Sequence, residues 1–170
     1  MSLVLPSLLD PWQAVDSRSV LVGRLPLSDL PRLRGSLVEA TGDVRFWLTF
    51  SRDEAQRAVL RCEVAAILKL LCQRCLEALE HKVSTDTLLA LVSSTDEERH
   101  LPEPYDPLPV SDGPIRPEGL IEDELLLALP QIPMHEPTVC ARRVPVVDVA
   151  QMRSGEVSPF AVLAKLKPGG

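Results

Sequence analysis

The sequence predicts an α+β fold: a mainly antiparallel sheet, strongly curved or barrel-like, carrying a few helices. Three observations lead there. Segments of strict apolar–polar alternation follow one another with only short turns between them. Helical patterns with recognisable start and stop signals occur singly, not between every pair of strands as a parallel sheet would need. The chain has 170 residues, 45% hydrophobic and 25% charged, which suits one domain, 1–170, with a real core.

The elements follow in order. Ser19 to Leu25 reads as a short strand. Ser28-Asp29 offers a helix cap, Pro31 fits a first helical turn, and Leu30, Leu33 and Leu37 recur at helical spacing. Gly42-Asp43 is a turn. Arg45 to Phe50 alternates, with Phe46, Leu48 and Phe50 on one face and Trp47 on the other. From Arg57 to Val64, residues Ala58, Leu60, Cys62 and Val64 point inward; Ala65 to Leu71 has residues that suit a helix, but its place between strand-like segments favours strand. Leu79 to Val92 suggests a further strand pair. Residues 93–119 hold Asp96-Glu97-Glu98 and six prolines without an apolar period, and are expected to form a long, mobile acidic loop. Glu118 to Leu129 is the strongest helix: Pro117 precedes it, acids fill its first turns and Pro130 stops it. Its second half, Leu125 to Leu129, is apolar on all sides and should be buried. In the tail, 141–170, Ser158 and Pro159 cap a short helix over 158–167, with Phe160, Leu163 and Leu166 on one face. A helix this short must dock on something.

Charge narrows the functions. The net charge is −6, but residues 76–130 hold 3 basic and 13 acidic residues, a net of −10, while each flanking part carries +2. A chain with this balance does not coat nucleic acid by charge alone. The first 75 residues are arginine-rich, however, so direct RNA binding through Arg57, Arg61 and Arg74 stands as an alternative. No apolar run approaches the roughly 20 residues of a membrane helix, and the start has neither a basic stretch nor a long apolar run, so neither membrane nor secretion is expected.

The chemistry-bearing residues are few. Four cysteines are too few for a disulfide scaffold of this length. Cys72-Gln73-Arg74-Cys75, together with His135 and Cys140, makes a Cys3His set that a tetrahedral zinc accepts. Such a site would be closed, hence structural, and would staple the strand region to the segment after the acidic helix. The competing use of Cys72 and Cys75, thiol–disulfide exchange, normally places the pair at the start of a helix. Cys62 belongs to the core. No phosphate-binding loop, dinucleotide fingerprint or nucleophile elbow occurs, and no catalytic residues can be named. The acidic turn Glu122-Asp123-Glu124 and the tail face Phe160, Leu163 and Leu166 are the candidate partner-binding residues.

Four blocks then combine. They are Cys72-Gln73-Arg74-Cys75-Leu76; Gly119 through Pro130 with its Glu-Asp-Glu triplet; Pro133-Met134-His135 followed by Cys140; and the tail Ser158 to Lys167. In this order and spacing they resemble the YceD family, the large ribosomal RNA subunit accumulation proteins. The matching positions are Cys72, Arg74, Cys75, Glu122, Asp123, Glu124, Pro130, His135, Cys140 and Phe160. The resemblance implies a bacterial, cytoplasmic, non-enzymatic factor in ribosomal RNA processing and large-subunit assembly. The acidic middle would repel phosphate and suits a basic ribosomal protein or a basic nuclease, so ribosomal RNA would be engaged indirectly.

Overall fold

The computed structural model describes residues 5–110 and 113–141. The predicted tail helix over 158–167, with Phe160, Leu163 and Leu166, lies outside these residues.

The described residues up to Met134 make one compact unit. Within it a short helix α1 (Pro11–Asp16) starts at Asp10, whose carboxylate accepts the backbone N–H groups of Trp12 and Gln13. Strand β1 (Val20–Pro26) follows, then a 3-10 turn (Leu27–Asp29) and helix α2 (Pro31–Arg34). Gly42, with φ +97°, makes the turn into β2 (Asp43–Arg52), a conformation other residues rarely adopt. Strands β3 (Ala58–Leu71) and β4 (Ala78–Val92) are long partners in one hairpin. Helix α3 (Thr95–Arg99), strand β5 (Asp106–Pro109) and helix α4 (Pro117–Leu127) complete this unit. From His135 the described residues hold helix α5 (Pro137–Ala141).

The fold is α+β. One five-stranded sheet has the order β1-β2-β3-β4-β5, antiparallel except for the parallel pair β4 and β5. It is open and not a barrel: β1 pairs with β2 and β5 with β4, leaving two edges among the described residues. Alternation sorts the side chains. Phe46, Leu48, Phe50, Leu60, Cys62, Val64 and Leu68 face inward and are buried, joined by Leu27, Leu30 and Leu33 and by Ile121 and Leu125 of α4. Each fully buried aliphatic or aromatic side chain contributes about 1.5–3 kcal/mol to folding. The opposite face, with Val22, Trp47 and Ile67, is exposed.

The structure corrects four expectations. Leu79 to Val92 is one strand, not a pair, because β3 runs unbroken for 14 residues and supplies a partner along its whole length. Residues 93–119 are not all loop: Ser94 caps α3, and β5 adds to the β4 edge. Ser28 and Asp29 do not cap α2, and Leu37 lies beyond its end, since α2 lasts only four residues. The end of α4 is not buried all round: Leu125 is fully buried but Leu127 is 82% exposed.

Candidate metal centre

Cys72 and Cys75 sit in the turn that joins β3 to β4. The turn is closed by its own backbone: the Cys72 N–H donates to the Glu77 carbonyl and the Leu76 N–H to the Cys72 carbonyl, both at 2.9 Å. Leu76 takes a left-handed conformation, φ 57°, that lets the chain turn back into β4. The Gln73 N–H donates to the Pro133 carbonyl at 2.9 Å, and the Arg74 guanidinium reaches the Met134 sulfur at 3.6 Å. Cys72 is buried and Cys75 partly so.

His135 stands just before α5, and Cys140 lies within it. The N–H groups of Val139 and Cys140 both donate to the Glu136 carbonyl, at 3.0 and 3.3 Å. Cys140 is fully buried. No cysteine is in a disulfide.

One potential ligand atom each from Cys72, Cys75, His135 and Cys140 lies within 4.8 Å of the others. In a tetrahedral zinc site with Zn–S near 2.3 Å and Zn–N near 2.0 Å, ligand atoms stand about 3.5–3.8 Å apart. The donor set fits as well: three soft thiolates and an imidazole suit zinc, and hard oxygen-seeking ions would not choose them. The fourth cysteine, Cys62, is not part of this set. Burial, with the Glu124, Asp86 and Glu63 charges, pushes its thiol up to about 12.

The acidic triplet on α4 is engaged inside the fold. Glu122 Oε1 accepts the backbone N–H groups of Arg32 and Leu33 at 2.7 and 3.1 Å, and Oε2 accepts Arg32 Nε at 2.8 Å. Burial pushes its carboxyl up, yet the hydrogen bonds from Arg32 and Leu33 and the guanidinium charge outweigh that and leave it below the ordinary range. Glu124, also buried, accepts the Thr87 hydroxyl at 2.6 Å. Asp123 is half exposed and pairs with Arg32 Nη1 at 2.7 Å.

Two of the three arginines considered for RNA also have carboxylate partners. Arg57 pairs with Asp53 at 2.7 Å and its guanidinium lies 5.1 Å from the centre of the Tyr105 ring. Arg61 bridges Asp86 and Glu63.

Comparison with known proteins gives the family. The model of a family described as "Large ribosomal RNA subunit accumulation protein YceD" matches residues 60–167. The chain belongs to the YceD family. The protein of that name from Haemophilus influenzae is a YceD relative 33% identical over 167 residues, covering 96% of each chain. The matched stretch contains Cys72, Cys75, the Glu122–Glu124 triplet, His135 and Cys140. The YceD name concerns accumulation of large-subunit ribosomal RNA and describes no reaction. No solved structure matches the chain.

Sequence reasoning missed Glu122 as the cap of α2. The local pattern shows only that a cap is missing: Pro31 opens the helix with Leu30 before it, and Leu30 has no side-chain acceptor for the next N–H groups, but nothing nearby in the chain names Glu122 as the supplier. Sequence reasoning counted Arg24 and Arg45 among the N-terminal arginines that could supply a basic patch but did not single them out, and it passed over Lys82; the three stand on β1, β2 and β4.

Proposed function

We propose that this protein is a non-enzymatic factor that promotes accumulation of large-subunit ribosomal RNA. It would work in the cytoplasm by binding a protein or ribonucleoprotein intermediate of ribosome assembly. Membership of the YceD family is the observation that carries this reading. The chemistry is consistent with it. The Cys-x2-Cys pair closes a hairpin turn and does not open a helix, the place that thiol-exchange pairs normally take. No helix among the described residues is long and apolar enough to cross a membrane.

We infer that Cys72, Cys75, His135 and Cys140 hold a structural zinc. Bound there, the metal would contribute folding free energy through a closed, four-ligand shell. The acidic triplet would serve mainly to seat α4, with Asp123 its exposed edge. The exposed acids of α3, Asp96, Glu97 and Glu98, suit a basic partner such as a ribosomal protein or a nuclease. A second reading, RNA binding through Arg57, Arg61 and Arg74, is weakened by the carboxylates that already occupy Arg57 and Arg61.

Affinity capture of the tagged full chain from growing cells tests the function. Large-subunit ribosomal proteins, their RNA or a processing nuclease should be enriched. A catch without any of them would overturn the reading.

A further inference from the structure

The outer face of the sheet carries a feature that folding does not require. One cross-strand row runs Arg24 on β1, Arg45 on β2, Ala65 on β3 and Ser84 on β4. Two arginines stand directly opposite each other, an arrangement that is destabilising in itself. One row along, Lys82 stands opposite Ile67. Among the described residues none of Arg24, Arg45 and Lys82 forms an ion pair, whereas Lys69 beside them is taken by Glu39 at 2.6 Å. The small side chains of Ala65 and Ser84 leave a hollow of about 690 Å³, lined by these four basic residues and one acid, Asp43. A basic concavity on a chain of net charge −6 is a local exception.

The hollow continues into a second, of about 410 Å³, sharing Ala65 and Ser84 and walled by Trp47. Trp47 is 38% exposed between Val22 and Glu63 on its neighbouring strands. The acids of that row, Glu63 and Asp86, are both held by Arg61. The row from Arg24 to Ser84 crosses four strands, about 14 Å. Unpaired cations along a groove beside an exposed aromatic ring are the combination that holds single-stranded nucleic acid: charge tracks the phosphates and the ring stacks a base.

We propose that this face binds single-stranded RNA, with Arg24, Arg45 and Lys82 on phosphates and Trp47 against a base. The proposal rests on the ribosomal reading above and deepens it by assigning the RNA of the intermediate to one surface. The unpaired Arg24–Arg45 pair favours RNA over an acidic protein segment because the cations sit in a hollow next to a stacking ring.

Fluorescence anisotropy of the full chain with a labelled single-stranded oligouridylate tests it. Three phosphate contacts give a salt slope of about −2, a roughly 20-fold loss of affinity between about 50 and 200 mM salt. The Arg24→Gln/Arg45→Gln variant should lose most binding while its thermal midpoint stays level or rises, since a like-charge pair is removed. Trp47→Ala should weaken binding by about tenfold, and Trp47→Phe by less. Absent binding, binding unchanged in the double variant, or capture of polyglutamate in preference to RNA would each overturn the proposal. Affinity capture separates the two readings. If wild type and double variant capture the same ribosomal proteins while RNA affinity is unmoved, only the RNA face fails. If wild type captures none, the ribosomal reading fails.

Discussion

Glu122 Oε1 lies 2.7 Å from the backbone nitrogen of Arg32, ninety residues away in the chain. A buried carboxylate on α4 therefore supplies the cap that α2 cannot make for itself, and the same group accepts the Arg32 guanidinium. Glu122→Ala should strand two backbone N–H groups and destabilise the fold by about 2–3 kcal/mol. Arg32→Ala should cost less, because its guanidinium is half exposed and Glu122 keeps its two backbone donors. Urea unfolding of the two variants checks the order.

The same contact sets an acid limit. The Glu122 carboxyl is depressed in the folded state from an ordinary value of 4.5. Its contribution is therefore present above pH 4.5 and is lost as the pH falls through the lower, folded value. Wild type should lose stability from about pH 5 downward more steeply than Glu122→Gln, as read from urea midpoints across pH.

Thr87 holds Glu124 through a single hydroxyl at 2.6 Å. Thr87→Val keeps the shape and removes the donor, leaving a buried acceptor unsatisfied. A loss of about 1–3 kcal/mol is expected. Thr87→Ser should recover most of it. Thermal denaturation of the pair decides.

Cys62 should be the last thiol to react. It is fully buried and its thiol is pushed up to about 12, so almost no thiolate exists at neutral pH. Alkylation of the native protein followed by peptide mass mapping should find Cys62 unmodified until the chain is unfolded. Early modification of Cys62 would contradict its placement in the core.

Much of this fold was legible in the sequence, for local reasons. The alternation Phe46, Leu48, Phe50 and Ala58, Leu60, Cys62, Val64 assigned the inward face because period two leaves a half-buried strand little choice. Pairing was less legible. Nothing local tells Leu79 to Val92 that its partner is a single 14-residue strand, nor that Asp106 to Pro109 will lie parallel to β4. The Cys3His set could be read from spacing and donor chemistry. The role of Glu122 could not, because its acceptor geometry depends on a contact across ninety residues. The basic hollow was hidden for a similar reason: Arg24, Arg45 and Lys82 come together only once four strands are in register.

Metal removal should be felt by the whole fold if Cys72, Cys75, His135 and Cys140 hold zinc. For metal at a hundredfold its Kd, chelation should lower the thermal midpoint by about 5–10 °C. Cys75→Ser should start low and show no further drop. The most direct measurement is native mass spectrometry of the full chain purified without chelator, run beside Cys75→Ser. Wild type should carry one zinc ion per chain and the variant none. A wild-type mass equal to the bare chain, after zinc is supplied during purification, would contradict the metal centre.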